Sequence, residues 1–383
     1  MNISDNIRYI GCDDTTLDLF ESQYPVPEGV SYNSYVILDE KIAVMDTVDR
    51  RKGDEWLANL EKVLDGKKPD YLIVQHLEPD HSANIKALAD KYPEMELVGS
   101  AKTKAMLPQF YEEDLSGRMT AVKEGDTLSL GSHTLNFVMA PMVHWPEVMV
   151  TYESSEKVLF SADGFGTFGA ICNNVPWEQE ASHYYLNIVG KYGASVQALL
   201  KKAAGLDIAV IAPLHGPVLK DNLGFYIDKY NTWSTYTPEI EGIFMPYASI
   251  HGNTAEAVLK FAEELKAAGA NVLPMDLCRE DVSEATEKAM QYSKMIVAAC
   301  SYDAMLFPPM EDFLYHLECK TYQNRKVGII ENGSWAPSAG KRMREHLEKL
   351  KNVEIVEPMI TIKTTRKAAD QPQWDALKEA MIQ

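Results

Sequence analysis

Between Val74 and Ile85 the chain reads VQHLEPDHSANI, and six of its positions hold two imidazoles and two carboxylates: His76, Glu78, Asp80 and His81. Each can offer a lone pair to a cation. The stretch directly follows the apolar run DYLIV, and crowding ionisable groups beside a buried strand is costly unless they are paired or bind metal. In extended backbone His76 and Glu78 face the same side, and Pro79 then helps the chain turn. Four bonds from so short a loop to one first-row ion would be strained, so two neighbouring ions sharing the loop is the easier geometry. Two ions need more ligands. Three other apolar runs end in candidates: His144 in APMVHWPEVM, Asp163 in LFSADGFG and His215 in APLHGPVL. Asp163 is the natural bridge, because a carboxylate can hold two cations. Four imidazoles and three carboxylates without a thiolate suit iron, manganese or zinc, and the carboxylate share favours iron or manganese. His133, His183, His316 and His346 read as structural.

A second set of candidates follows strands later in the chain. In YASIHGNTAEAV, residues Ser249, Ile250, His251, Gly252, Asn253 and Thr254 precede a helix whose positive end would meet an anion. This reads as a phosphate site for a mononucleotide and resembles the flavodoxin phosphate loop. A Gly-Asn turn that merely caps a helix is the competing reading. Two further segments favour the site: CSYDAMLFPP, with Ser301, Tyr302, Asp303 and Ala304, and ENGSWAPSAG, with Asn332, Gly333, Ser334 and Trp335. In a flavodoxin-like sheet such strand ends flank the switch point where FMN lies. Tyr302 or Trp335 can stack on an isoalloxazine ring. Set against the flavodoxin-like loops that these segments resemble, Cys300 stands where Cys is not usual, and His251 likewise departs from them.

The elements that must position these residues differ between the two parts. In the first, SYVILDE and KIAVMDT read as paired strands, DEWLANLEKVLDG as a helix stopped by glycine, DYLIVQH as a buried strand and TLSLGSHTLNFVMAP as a hairpin. The segment SANIKALAD reads as a helix capped by Ser82 or Asp80. In the second, five strand candidates, GIFMPYAS, NVLPMDL, MIVAACS, KVGIIEN and VEIVEPMITIK, alternate with helices, implying a parallel sheet covered on both faces. In TAEAVLKFAEELKAAG the residues Val258, Phe261, Ala262, Leu265 and Ala268 share one helical face. The best boundary lies near YNTWSTYTPEIEG, which places residues 1–241 in one domain and 242–383 in another. The first carries 20 basic against 36 acidic residues and the second 17 against 20, within a net charge of -19. That balance argues against a nucleic-acid partner. No apolar stretch is long enough for a membrane span, and the N-terminus lacks a secretion pattern. Five cysteines, Cys12, Cys172, Cys278, Cys300 and Cys319, form no C-x-x-C pair, so free thiols in a reducing cytoplasm are expected.

The pattern H-x-E-x-D-H, then His after 62 residues, Asp after 18 more and His after 51 more, resembles the flavodiiron proteins. YPVPEGVSYNSYVI, HWPEVM, ADGFGTFGA and HGPV resemble them too, so the likeness spans most of residues 20–220, and the flavin loops extend it over 242–383. The gap of 51 residues and Leu214 in PLHGP depart from the family pattern. The resemblance implies an α+β and α/β chain: an N-terminal αββα metallo-β-lactamase-like sandwich (1–241), then a flavodoxin-like, doubly wound, parallel five-stranded sheet that binds FMN (242–383). Hydrolases of the first fold carry H-x-H-x-D-H and zinc. Glu78 stands in place of their second histidine and suits oxidised iron better. The family likeness implies one iron on His76, Glu78 and His144, a second on Asp80, His81 and His215, and Asp163 between them.

The implied activity is that of an oxidoreductase. An external donor, rubredoxin or an NADH-linked reductase, feeds FMN and then the diiron centre, which reduces dioxygen to water, nitric oxide to nitrous oxide, or both. No rubredoxin-like cysteine module is visible, so the donor is expected to be a separate protein, with Lys363, Arg366 and Lys367 as one candidate basic patch for it. A head-to-tail homodimer, or a dimer of dimers, in the cytoplasm is also implied. Tyr24, Trp145 and Phe168 are candidate gas-pocket residues. Two rival functions stand beside this one: a dizinc hydrolase fused to a flavodoxin, against which Glu78 speaks, and a non-catalytic electron carrier, against which the full ligand set speaks.

Overall fold

In the computed structural model, which describes residues 2–383, the chain divides into two compact units, one ending at Ser234 and the other running Thr235–Gln383. The division precedes the 241/242 boundary read from sequence. The polar segment before strand Ile240–Ala248 bonds into the second unit: Glu239 N donates to Gln291 O, and Tyr236 O accepts from Arg325.

The first unit packs two sheets face to face. One has six strands in the order Ile7–Tyr9, Tyr35–Ile37, Ala43–Met45, Tyr71–Val74, Glu96–Ser100 and Met119–Val122. The other has five: Thr127–Ser129, Thr134–Met139, Met149–Glu153, Val158–Phe160 and Val210–Ala212. Alternation explains the core. Tyr35, Ile37, Ala43, Met45, Tyr71, Ile73 and Val98 from one sheet meet Leu135, Phe137, Met149, Val158, Phe160 and Ala212 from the other in a single buried cluster. Tyr71–Val74 is buried on both faces, so its run is continuously apolar rather than alternating. Helix Gly53–Leu64 buries Trp56, Leu60 and Leu64. It ends at Asp65 in the left-handed region, one residue before the expected glycine.

Two local expectations are corrected. The helix after the His76 loop is broken into Pro79–Ser82 and Ile85–Lys91, and neither Asp80 nor Ser82 caps it. Ser82 instead donates to Leu77 O at 2.7 Å, which ties the loop to itself. In the second unit, helix Asn253–Ala267 buries Val258, Phe261, Ala262 and Leu265 but ends before Ala268, which is exposed.

The second unit is a parallel sheet in the order Val272–Asp276, Ile240–Ala248, Tyr292–Tyr302, Arg325–Asn332 and Val353–Ile355. The expected last strand is two pieces: Val353–Ile355 and Ile360–Ile362 pair in succession with the same neighbour. A short antiparallel strand, Met305–Leu306, folds back on Tyr292–Tyr302. Counting strands along the chain, the order is 2-1-3-4-5, so the switch point lies between Ile240–Ala248 and Tyr292–Tyr302. Among the described residues no helix is long and apolar enough to cross a membrane.

Arg325 is a structural keystone of this unit. Its buried guanidinium donates to five backbone carbonyls, those of Tyr292, Tyr236, Gln323, Asn324 and Met290. Arg325→Met should strand those acceptors and destabilise the second unit by about 2–4 kcal/mol; denaturant unfolding followed on that unit's tryptophans measures it.

His133 links the edges of the first unit's two sheets. Its Nδ1 lies 2.7 Å from Asp39 Oδ2 and its Nε2 3.1 Å from Glu156 Oε1. Burial by itself would lower the imidazole's pKa, but these two acceptors outweigh it and hold the pKa above the ordinary 6.5. A raised pKa stabilises the fold fully below 6.5 and stops doing so as pH climbs through the folded-state value. The gap in melting temperature between the native chain and His133→Asn should therefore be widest below pH 6.5 and narrow as pH climbs above it; a gap that widens with pH would contradict the assignment.

Candidate metal centre

All seven metal candidates come from loops that follow strands. His76, Glu78, Asp80 and His81 follow Tyr71–Val74, His144 follows Thr134–Met139, Asp163 follows Val158–Phe160 and His215 follows Val210–Ala212. The last three strands run in one direction within their sheet, so their loops emerge at one edge.

The geometry separates the seven into two groups around Asp163. His76, Glu78, His144 and Asp163 place ligand atoms within 4.8 Å of one another, and so do Asp80, His81 and His215. Asp163 Oδ2 lies 3.1 Å from His76 Nε2 and 3.3 Å from His144 Nε2. Its Oδ1 lies 3.2 Å from His81 Nε2 and 3.7 Å from His215 Nε2. Glu78 Oε2 completes the first group, 3.2 Å from His76 Nε2 and 2.9 Å from His144 Nε2. Asp80 Oδ2 completes the second, 3.2 Å from His215 Nε2 and 3.4 Å from His81 Nε2. All seven are buried except Glu78, which is partly exposed.

The donors fit a pair of cations. Both oxygens of Asp80, both oxygens of Asp163 and both ring nitrogens of His81 are buried without a hydrogen-bond partner, despite their close approach. Lone pairs that converge without hydrogen-bond geometry are aimed at a shared point rather than at each other. Burial would oppose charge on every member. The imidazoles nevertheless hold Asp163 and Glu78 well below the carboxylate range, and the adjacent Asp163 and Glu78 carboxylates lift His144 to about 9. Cations placed among the ligand atoms would do the work those protons do, releasing them on binding.

Several supporting residues carried no sequence signal. Glu147, buried, accepts from His76 Nδ1 at 2.8 Å and from Leu77 N at 2.9 Å. Ser31 O lies 2.7 Å from His215 Nδ1. Asp46 takes Gln75 N at 2.7 Å and Gln75 Nε2 at 2.8 Å; burial, partly offset by these bonds, raises its pKa to about 6. Thr47 donates to His81 O at 2.7 Å. Aromatic rings wall the centre: Trp145 packs on His76, and Phe20, Tyr32 and Tyr184 on His215. Tyr24 and Phe168 pack on each other behind Phe20. Phe20, Tyr32 and Tyr184 were not anticipated, because only the fold brings their segments to His215.

In the second unit a cavity of about 440 Å³ opens over the switch-point strand ends. Every expected flavin-site residue lines it except Gly252, which stands at the helix start with φ +90. Cys300, Ala336 and Thr364 join the lining. Its polar side chains are tied together: Ser249 Oγ accepts from Gly252 N and Ala255 N, and Asn332 bonds Thr254 and both the N–H and the C=O of Thr364. Trp335 is 91% exposed at the rim. The expected basic patch does not survive intact. The Arg366 side chain is only 6% exposed, clamped by both oxygens of Glu264 and laid 4.1 Å over Trp374, which leaves Lys363 and Lys367 exposed.

Residues 30–216 match the model of the ODP family beta lactamase. The whole chain superimposes on the rubredoxin oxygen:oxidoreductase of the anaerobe Desulfovibrio gigas with a TM-score of 0.93 at 27% identity, covering 100% of this chain and 97% of that one. A flavo di-iron protein variant from Thermotoga maritima gives 0.89 at 25% identity, covering 100% and 98%. The nitric oxide reductase of Moorella thermoacetica is 27% identical over 96% of this chain and 94% of its own length. Along its whole length the chain is similar to flavodiiron proteins. It is an oxidoreductase, as these similarities show. Some relatives are longer: the chain spans 65% of the putative diflavin flavoprotein A 2 of Synechocystis.

The split of Asp163 between two triads makes a specific prediction. Asp163→Asn should strip metal from both positions, whereas His215→Ala should chiefly empty one. Metal content per chain after purification distinguishes them; full metal content in Asp163→Asn would refute the bridging role.

Proposed function

We propose that this chain takes electrons from an external donor into FMN, passes them to a diiron centre, and there reduces dioxygen to water, nitric oxide to nitrous oxide, or both. The observation that carries this is one carboxylate, Asp163, with an oxygen turned to each of two His–carboxylate groups, in a chain that also holds a flavin-sized pocket. One iron would rest on His76, Glu78 and His144, the other on Asp80, His81 and His215. Ferrous ions bound there would supply electrons one at a time and a place for a diatomic ligand.

The protein's own contribution is positioning and exclusion. Phe20, Trp145 and Tyr184 hold water back from the His rings they cover. Tyr184, buried, with its pKa raised by that burial and then by Asp163, Asp80 and Glu78, keeps its hydroxyl proton beside the carboxylates. FMN would lie over Ser249–Thr254, with its phosphate at the start of helix Asn253–Ala267 and its ring near Tyr302 and Trp335. Solved and curated relatives carry the names rubredoxin oxygen:oxidoreductase and nitric oxide reductase, which supports both gases as substrates and rubredoxin as donor; an NADH-linked reductase as donor is part of the same proposal. A head-to-tail homodimer or dimer of dimers in the cytoplasm accompanies this reading, and five free cysteines suit that compartment.

The test is steady-state consumption of each gas by the iron- and FMN-loaded protein, supplied with chemically reduced rubredoxin. His144→Ala should lower turnover by more than about 100-fold while the yellow flavin stays bound. Two zinc ions with hydrolysis and no gas uptake would favour a hydrolase instead. Iron-free protein that still passes electrons normally would favour a carrier.

A further inference from the structure

The two halves of the metal centre are not electrically equivalent. Each triad has two imidazoles, one carboxylate and a share in Asp163, so the ligands themselves carry equal charge. The difference lies one layer out. On the first triad, His76 Nδ1 donates to Glu147 Oε1 at 2.8 Å. The Glu147 side chain is fully buried, accepts a second bond from Leu77 N, and leaves Oε2 without a partner. A carboxylate receiving two N–H bonds stays ionised. On the second triad, His215 Nδ1 donates to a neutral acceptor, Ser31 O, at 2.7 Å, and His81 Nδ1 has no hydrogen-bond partner. The other buried carboxylate nearby, Asp46, gives its oxygens to Gln75 and to the backbone N–H of His76, not to a ligand ring.

We propose that Glu147 makes the His76–Glu78–His144 position the tighter-binding and more easily oxidised of the two, so that the Asp80–His81–His215 position fills last and is reduced first. The inference rests on the dimetal reading above. An anionic acceptor draws on the Nδ1 proton, fixes the tautomer that turns Nε2 to the ion, and makes that nitrogen a stronger donor; a carbonyl does so less. A full negative charge one imidazole away also favours the more highly charged ion, with little water between to screen it. Glu147 is a positioning residue: it touches a ligand, not the metal or the gas.

Two measurements test this. In the first, metal-free protein receives one equivalent of Co(II) and is crystallised, and anomalous scattering locates the ion. The first triad should hold several times the occupancy of the second; equal occupancy, or preference for Asp80–His81–His215, overturns the proposal. Failure to bind any second equivalent overturns the dimetal reading instead, so the two failures are distinguishable. In the second, the iron-loaded protein is titrated anaerobically and followed by electron paramagnetic resonance. Glu147→Gln keeps an oxygen for His76 Nδ1 and Leu77 N but removes the charge. It should raise the lower of the two iron midpoints and narrow their separation, with the flavin midpoints unmoved. Glu147→Asp should restore part of the separation. A separation unchanged in Glu147→Gln overturns the proposal. Should the variant fold poorly, the Co(II) experiment on the native chain still decides.

Discussion

Asp163 is the constraint around which the first unit is built. Its carboxylate is buried, lacks a conventional hydrogen-bond partner, and faces four imidazoles with two oxygens. An isolated ionised carboxylate in that position would be expensive, and so would four partly charged rings without it. Each group is tolerable only because the others are present, so the seven residues form one electrostatic unit. Removing the central member leaves charges that nothing else in the pocket balances.

The scaffold meets this demand with its most rigid parts. The ligand loops leave strands whose side chains form the shared core, including Ile73, Phe137, Phe160 and Ala212. Register then fixes the ligands: Val158–Phe160 pairs with Val210–Ala212 residue for residue, which carries Asp163 and His215 out side by side. Outer contacts remove the remaining freedom. Ser31, Thr47, Ser82 and Glu147 each bond a ligand ring or the ligand-bearing backbone. This is the arrangement expected of a site that must keep its geometry while its charge changes.

What the sequence showed and what it hid follow from the range of the interactions. His76 to His81 were legible because a local crowd of ionisable groups after an apolar strand is hard to accommodate without a cation. His144, Asp163 and His215 were legible as polar ends of apolar runs, and the flavodiiron resemblance supplied their grouping. The broken helix after Pro79 was not, since Ser82 turns back to Leu77 instead of capping a helix, and that choice depends on tertiary packing. Glu147 left no local trace, because its partner lies 71 residues away. Arg366 misled for the same reason: a charge run in sequence was folded onto Glu264, 102 residues distant, and onto the Trp374 ring. The single last strand became two because Pro358 interrupts it, yet both pieces keep the same neighbour.

The flavin pocket follows a different logic from the metal centre. Apart from the exposed Asp303, its polar side chains carry no formal negative charge. Ser249, Asn253, Thr254, Asn332, Ser334 and Thr364 bond to one another, to nearby backbone or to Thr365, which ties the three loops together. With hydroxyls and amides so engaged, attraction for an anion falls to the start of helix Asn253–Ala267. There the first turn of N–H groups has no acceptor within the helix, and the left-handed Gly252 lets the backbone curl toward them. The lining includes no lysine or arginine. A phosphate held by oriented dipoles adds its own charge to the pocket without a matching cation, and a negative environment makes an added electron on the neighbouring ring less welcome. FMN bound there would meet no basic side chain from the lining, which would make its reduced form the readier electron donor.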